Sequence, residues 1–216
     1  MNTRRNLLVG LGAAALGVVA WRADTGLVEA RPAGADTTGA SYFPNLRLYT
    51  HEGKAVRFYD DLIRGKVVAI NMMYASCTGI CPIVTANLRQ VQKLLGERVG
   101  RDVFMYSITL QPELDTPQIL KTYTEQHHVG PGWWFLTGAP ADIEQLRFSL
   151  GFYDINPLVD GNKANHSGIL RIGNDADQRW TMAPALADPE QILATINHVD
   201  KAVVLTGISA EMASAA

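Results

Sequence analysis

Cysteine is scarce in this chain: Cys77 and Cys81 are its only two in 216 residues. All other sulfur belongs to methionine, so any thiol redox chemistry or thiolate metal site rests on this one pair. Charge imbalance is also lacking. With 19 Lys and Arg against 21 Asp and Glu, the chain carries no basic footprint, which argues against nucleic acid as a partner. Internal repeats are absent, and no second long apolar segment follows the one at the N-terminus. That first apolar run, residues 7–21, falls short of the roughly 18–20 residues of a membrane-spanning helix.

The N-terminus itself reads as an export leader. Arg4 and Arg5 form a short basic start ahead of the apolar run, and Thr3-Arg4-Arg5-Asn6-Leu7-Leu8 resembles a twin-arginine signal. Ala33-Gly34-Ala35 offers a small-x-small cleavage site, better than Val28-Glu29-Ala30. Residues 1–35 are therefore expected to be an export signal, or a retained membrane anchor, plus a linker. The expected location is the periplasm or the outer face of the inner membrane, reached by a Tat-like or Sec signal. Residues 42–206 are expected to form one domain, and a chain of this size buries roughly 70% of its unfolded surface. Residues 207–216 are expected to be a mobile tail.

Within the domain, strand-like and helix-like runs alternate. Residues 67–72 are apolar except for Asn71, as in a strand covered on both faces. Residues 83–95 follow, with Val84, Leu88, Val91 and Leu95 at helical spacing and Pro82 suited to the first turn. A second strand is expected over 103–110. Asp115-Thr116-Pro117 then reads as a cap-plus-proline helix start ahead of Leu120 and Tyr123. Residues 133–137 read as a third strand, and Ile143, Leu146 and Leu150 as a helix stopped by Gly151. Residues 166–172 and 179–183 suggest a hairpin, and Asp188-Pro189 opens a last helix with Ile192, Ile196, Val199 and Val203 on one face. A small hairpin, 46–49 with 56–59, precedes all of this. The order implies an α/β fold: a thioredoxin-like three-layer sandwich, with a central mixed sheet and helices on both faces.

The chemistry centres on Cys77-Thr78-Gly79-Ile80-Cys81-Pro82. If Pro82 opens the helix, Cys81 lies near its N-cap and Cys77 one turn before it. The positive end of the helix dipole then favours thiolate over thiol at both. Two soft thiolates suit Cu(I) or Zn, and a third ligand is wanted from His51, His127, His128, His166 or His198. His127 and His128 end a helix, where a capping role is the blander reading. His51 and His198 read as surface residues. Residue types alone leave His166 open between ligand and bystander. A structural disulfide would close a loop of only a few residues and stabilise little. A peroxide-reducing enzyme would need a proline and hydroxyl motif upstream of Cys77, and that motif is missing. Of Trp133 and Trp134, adjacent on a strand, one is expected in the core. Of Met72 and Met73, one is expected to point into the core.

Taken in order, Cys77-x-x-x-Cys81-Pro82 after an apolar strand, Pro112-Glu113-Leu114-Asp115-Thr116-Pro117, Leu136-Thr137-Gly138 and Asn165-His166-Ser167 resemble the Sco/SenC family of thioredoxin-fold copper chaperones. That family serves cytochrome c oxidase assembly. The resemblance implies a metal site of Cys77, Cys81 and His166 for copper, as Cu(I) and also Cu(II). It further implies a copper donor and a copper-acceptor protein, a cytochrome c oxidase subunit. A second reading keeps Cys77 and Cys81 as the redox pair of a thiol–disulfide oxidoreductase that holds acceptor cysteines reduced. Whether the chain is an enzyme at all stays open between the two. Where the family usually carries acids near the site, this chain has Gly79, Gln111 and Asn165, and Thr78 stands where the family has proline.

Overall fold

A computed structural model of the chain describes residues 42–162, 165 and 168–200. Among them seven strands form one mixed sheet: β1 (Arg47–Thr50), β2 (Ala55–Arg57), β3 (Val67–Met73), β4 (Val103–Thr109), β5 (Trp133–Gly138), β6 (Ile169–Asn174) and β7 (Arg179–Pro184). Their spatial order is β2-β1-β5-β4-β3-β6-β7. Strands β3, β4 and β5 run parallel, and the outer pairings are antiparallel. The helices are α1 (Ile80–Leu95), α2 (Pro117–Gln126), α3 (Pro140–Ser149), the short α4 (Pro157–Asp160) and α5 (Pro189–Val199).

The period-2 geometry of the strands divides the core into two layers. Along β3, Val67, Ala69 and Met73 face one layer while Val68, Ile70 and Met72 face the other. The first layer receives α1, α2 and α5 through Val84, Leu88, Leu120, Tyr123, Ile192 and Ile196. The second receives α3 through Ile143 and Leu146, together with the N-terminal residues Phe43 and Phe58. Helices therefore cover both faces, and every residue of β3 is buried. The thioredoxin-like three-layer arrangement expected from the strand–helix order is the one observed. Trp133 is fully buried, its Nε1 donating to Ser107 Oγ at 2.9 Å, and Trp134 is half-buried. Met72 and Met73 are both buried, on opposite layers, where one was expected in the core.

The caps follow the sequence. Thr116 Oγ1 accepts from Ile119 N at 3.3 Å with Pro117 at the first helical position, and Asp188 accepts from Glu190 N at 2.8 Å. Gly151, with φ +82°, supplies the left-handed residue just beyond α3.

The larger differences from expectation are three boundaries and one additional helix. Helix α1 begins at Ile80 with Gly79 as its N-cap, so Pro82 sits third in the helix and Cys81 second. Proline costs nothing there, because first-turn N–H groups have no helical partner to lose. The expected strand 56–59 stops at Arg57, and Phe58–Ile63 forms a π-helical turn. Asn45 Oδ1 accepts from both Tyr59 N and Asp60 N at 3.1 Å, holding the first amides of that turn. Of the late strand expected over 166–172, the described part begins at Ile169, while 166 and 167 lie outside the described residues. Its terminal register pair is Ile169 with Pro184, and one further backbone bond, Ala185 N to Gly168 O at 2.9 Å, lies just beyond it. The short helix α4 was not anticipated; Asn156 caps it by accepting from Leu158 N at 3.1 Å.

Among the described residues no helix is long and apolar enough to cross a membrane. The expected leader and linker (1–35), the tail (207–216) and Val203 lie outside the described residues.

Candidate metal and thiol site

The parallel strand β3 delivers the chain to the top of the sheet, and α1 carries it back down. The six residues between them, 74–79, hold Cys77. Both thiols are buried, Cys77 at 7% exposure and Cys81 at 1%. Gly79 has no side chain to cap α1, and a sulfur does the capping instead: Cys81 N donates to Cys77 Sγ at 3.4 Å. One orphan N–H of the first helical turn thus points at the first sulfur.

Burial alone pushes the Cys77 thiol up, because a buried thiolate loses hydration. Hydrogen bonds outweigh it. The Cys81 thiol, the backbone N–H groups of Cys81 and Gly79, and the Tyr74 hydroxyl together hold Cys77 below the ordinary thiol value. The same contact raises the Tyr74 phenol, since its proton is shared with Cys77, and burial adds to the rise. Residue types predicted helix-dipole activation at both sulfurs; at Cys77 the effect is the sum of these individual donors.

Asp115 fixes the loop from outside. Its buried carboxylate accepts from Ala75 N at 3.0 Å and from Thr109 Oγ1, tying the dithiol loop to the end of β4. The sequence marked Asp115-Thr116-Pro117 as a helix start, and Thr116 fills that role. Asp115 is turned back toward Ala75 and the dithiol loop instead. Gln111 Oε1 accepts from Ser76 Oγ at 3.0 Å, a second tie between the same segments. Beneath the sulfurs, in the layer they share, the Tyr123 hydroxyl lies 2.9 Å from Thr85 Oγ1, and burial drives the Tyr123 phenol up to about 12.

Tyr74, Tyr123 and the inward role of Asp115 were not identified from the sequence. For Tyr74 a signal existed: an aromatic three residues before a cysteine, at a strand end, is placed to reach the sulfur. For Tyr123 none existed, because its helical spacing reads simply as core.

The histidines separate clearly. His198 is exposed, as expected. His51 is half-buried rather than at the surface, its ring edge-on to Phe135 at 6.3 Å, and burial lowers its pKa. His127 stacks on Tyr123 at 4.2 Å between ring centroids, and His128 is exposed with φ 51° at the end of α2. His166 lies outside the described residues. Asn165, beside it, donates from Nδ2 to Val159 O at 2.8 Å. Among the described residues no three His, Cys, Asp or Glu side chains cluster as a metal cage. Two sulfurs side by side are a soft donor pair that leaves room for one further ligand.

The approach to the later residues is held by Arg147. Its buried guanidinium binds Asp160 through two bonds of 2.7 and 2.8 Å, Glu144 through two of 3.0 and 2.7 Å, and Phe152 O at 2.9 Å. The hydrogen bonds to Glu144 and Asp160 keep Arg147 charged well above its ordinary range.

Comparison with known proteins agrees with this architecture. The SCO1/SenC family model matches residues 34–201. The SCO1 protein homolog of Bacillus subtilis is 32% identical over 97 residues, which cover 44% of this chain and 49% of that protein. The chain spans about half the length of curated relatives such as this one. The structure of Arabidopsis thaliana ScoI with copper bound superposes with a TM-score of 0.57 at 21% identity, covering 72% of this chain and 96% of that one. BsSco, a member of the Sco family of cytochrome c oxidase assembly proteins in which a disulfide switch was identified, gives 0.59 at 22%, covering 72% and 91%. At these identities the structural likeness establishes the fold.

Proposed function

This chain belongs to the SCO1/SenC family, and from that premise we propose that it is a copper metallochaperone. Cys77 and Cys81 supply thiolates and His166 supplies an imidazole, a three-ligand site for Cu(I) that also accepts Cu(II). The observation that carries the proposal is the pair of adjacent, buried thiols at the entry to α1, with Cys77 held below its ordinary pKa by four donors. A sulfur already inclined to thiolate needs less free energy to bind a soft cation at neutral pH.

Delivery proceeds by ligand exchange. An incoming thiolate of the acceptor bonds to copper, one Cys–Cu bond breaks, and the step repeats until copper has passed. Copper stays Cu(I) throughout, and the vacated thiolates take up protons from solvent. We assign the dinuclear copper centre of cytochrome c oxidase as destination, with a separate copper donor upstream. Family membership and the copper-bound relatives support this. The site works outside the cytoplasm, in the periplasm or on the outer face of the inner membrane, with residues 1–35 as a Tat-like or Sec signal or as the anchor.

The test is anaerobic Cu(I) titration of the reduced, leader-free protein against a competing chelator. One tight equivalent is expected. It is lost on replacing both cysteines by Ala and weakened at least about tenfold in His166→Ala. Tight loading that survives the double cysteine replacement would overturn the proposal.

The adjacency of the two sulfurs also favours thiol–disulfide exchange as a second reading. Cys77 would attack an acceptor disulfide and Cys81 would resolve the mixed disulfide, leaving the acceptor's dithiol reduced and Cys77–Cys81 oxidised. His166→Ala separates the two readings, because exchange does not need the imidazole.

A further inference from the structure

A groove of about 310 Å³ runs between the dithiol loop and α2. Ala75 and Ser76 form one wall; Ile119, Tyr123 and Gln126 form the other, with Leu114 at the lip. Leu114 is 59% exposed and Ile119 45%. We infer that this groove seats the copper-accepting polypeptide, taking an apolar side chain that adjoins the acceptor's own thiolate ligands. The inference rests on the chaperone reading and names where its partner docks.

The lip is rigid. Leu114 N and Asp115 N both donate to Gln111 O, at 2.9 and 2.8 Å, closing a tight turn that holds the Leu114 side chain out in water. The carboxylate of the next residue, Asp115, holds Ala75 in the opposite wall. One buried anchor therefore fixes the apolar lip and the cysteine loop in a single register. A side chain seated on Leu114 meets a pre-ordered surface, so ordering costs little on binding.

The chemistry of the lining selects the occupant. Of its side chains only Asp115 is charged, and that carboxylate is buried and turned inward. A neutral, partly apolar lining offers nothing to phosphate or to a polyanion. It fits the apolar centre of a protein interface. Position selects it further. Ligand exchange requires the acceptor's thiolates within bonding reach of copper held by Cys77, and Ser76, its neighbour, is part of the groove wall. A second exposed apolar group, Ile155 (96%) and Leu158 (90%), lies on the separate segment that enters α4 and serves as an internal control.

The experiment is methyl NMR of the full reduced chain, Cu(I)-loaded, titrated with the soluble copper-centre domain of a cytochrome c oxidase subunit. The expected result is shifted or broadened Leu114 and Ile119 methyl signals with Ile155 and Leu158 unmoved. In Leu114→Ser/Ile119→Ser, copper transfer slows by about tenfold or more, while Cu(I) affinity measured without acceptor stays within about twofold of the parent. Perturbation confined to Ile155 and Leu158, no perturbation at all, or an unchanged transfer rate would overturn the docking site. Cu(I) affinity measured without acceptor tests the chaperone reading separately.

Discussion

Two segments lead to the proposed ligands, and they are held by different physics. The dithiol loop is short, joins two regular elements, and is fixed by many modest hydrogen bonds: Cys81 N to Cys77 Sγ, Asp115 to Ala75 N, Ser76 to Gln111. The segment 152–162, on the way to His166, exposes Tyr153, Ile155 and Leu158 and is gathered on one guanidinium. Arg147 binds Phe152 O and both oxygens of Asp160, and Asp160 Oδ1 in turn accepts from Asp154 N at 2.8 Å. The first loop distributes its stability over several contacts. The second is tied at Phe152 and at Asp160 to one guanidinium, so a single change there should loosen it.

The sharpest way to break that comparison is Arg147→Met. It removes the hub and leaves Asp160, whose side chain is 17% exposed, without its guanidinium. Breaking a buried pair in this way costs about 3–5 kcal/mol, read as a fall in the urea midpoint. Amides of 152–162 should exchange faster while those of the dithiol loop stay protected. Cu(I) affinity should fall through His166 and not through the thiols, so Cys77 alkylation should keep its parent rate. Equal loosening of both loops would show that they are one cooperative unit.

Asp115→Asn probes the other side and should have a smaller effect. The amide keeps the shape but gives a weaker acceptor to Ala75 N and competes with Thr109 Oγ1. The expected loss is about 1–3 kcal/mol. Exchange should accelerate at Ala75 and Cys77, and Cu(I) affinity should drop with His166 still contributing. If exchange in the dithiol loop is unchanged, the α1 first turn alone fixes the loop.

The contrast also explains what the sequence disclosed. The sheet, the caps at Thr116 and Asp188 and the Cys77–Cys81 pair are local signals, written within one turn or one strand. The inward carboxylate of Asp115 joins residues forty positions apart, and the cap signal beside it, Thr116-Pro117, offered a complete local explanation. Arg147 sits on α3, a helix with weak amphipathic contrast, where an arginine reads as solvated surface. Its partners, Asp160 and Phe152 O, come together only after the chain has turned beyond Gly151. The boundary of α1 was misplaced for a related reason. Proline marks a first turn without specifying which of its positions it fills, and the sulfur that caps Cys81 N belongs to no cap pattern.

The smallest predicted effect concerns pH and tests the distributed loop directly. The folded Cys77 thiol sits below its ordinary value because the thiolate is stabilised by Cys81, Gly79 and Tyr74 against the opposing cost of burial. The folded state therefore releases its proton at lower pH than the unfolded chain does. Stability of the reduced protein should rise as pH climbs through the folded Cys77 pKa and level off beyond the ordinary thiol value of about 8.5. The contribution is lost again as pH falls through the folded value. Urea midpoints of the reduced parent and of Cys77→Ser, measured across that window, should diverge as pH rises. Thiolate absorbance should titrate below the ordinary range in the parent. Tyr74→Phe removes one of the donors and should move that titration part of the way back, leaving the remainder to the α1 first turn. A Tyr74→Phe titration identical to the parent's would assign the whole effect to Cys81 and Gly79, concentrating in the helix start what the geometry spreads across the loop.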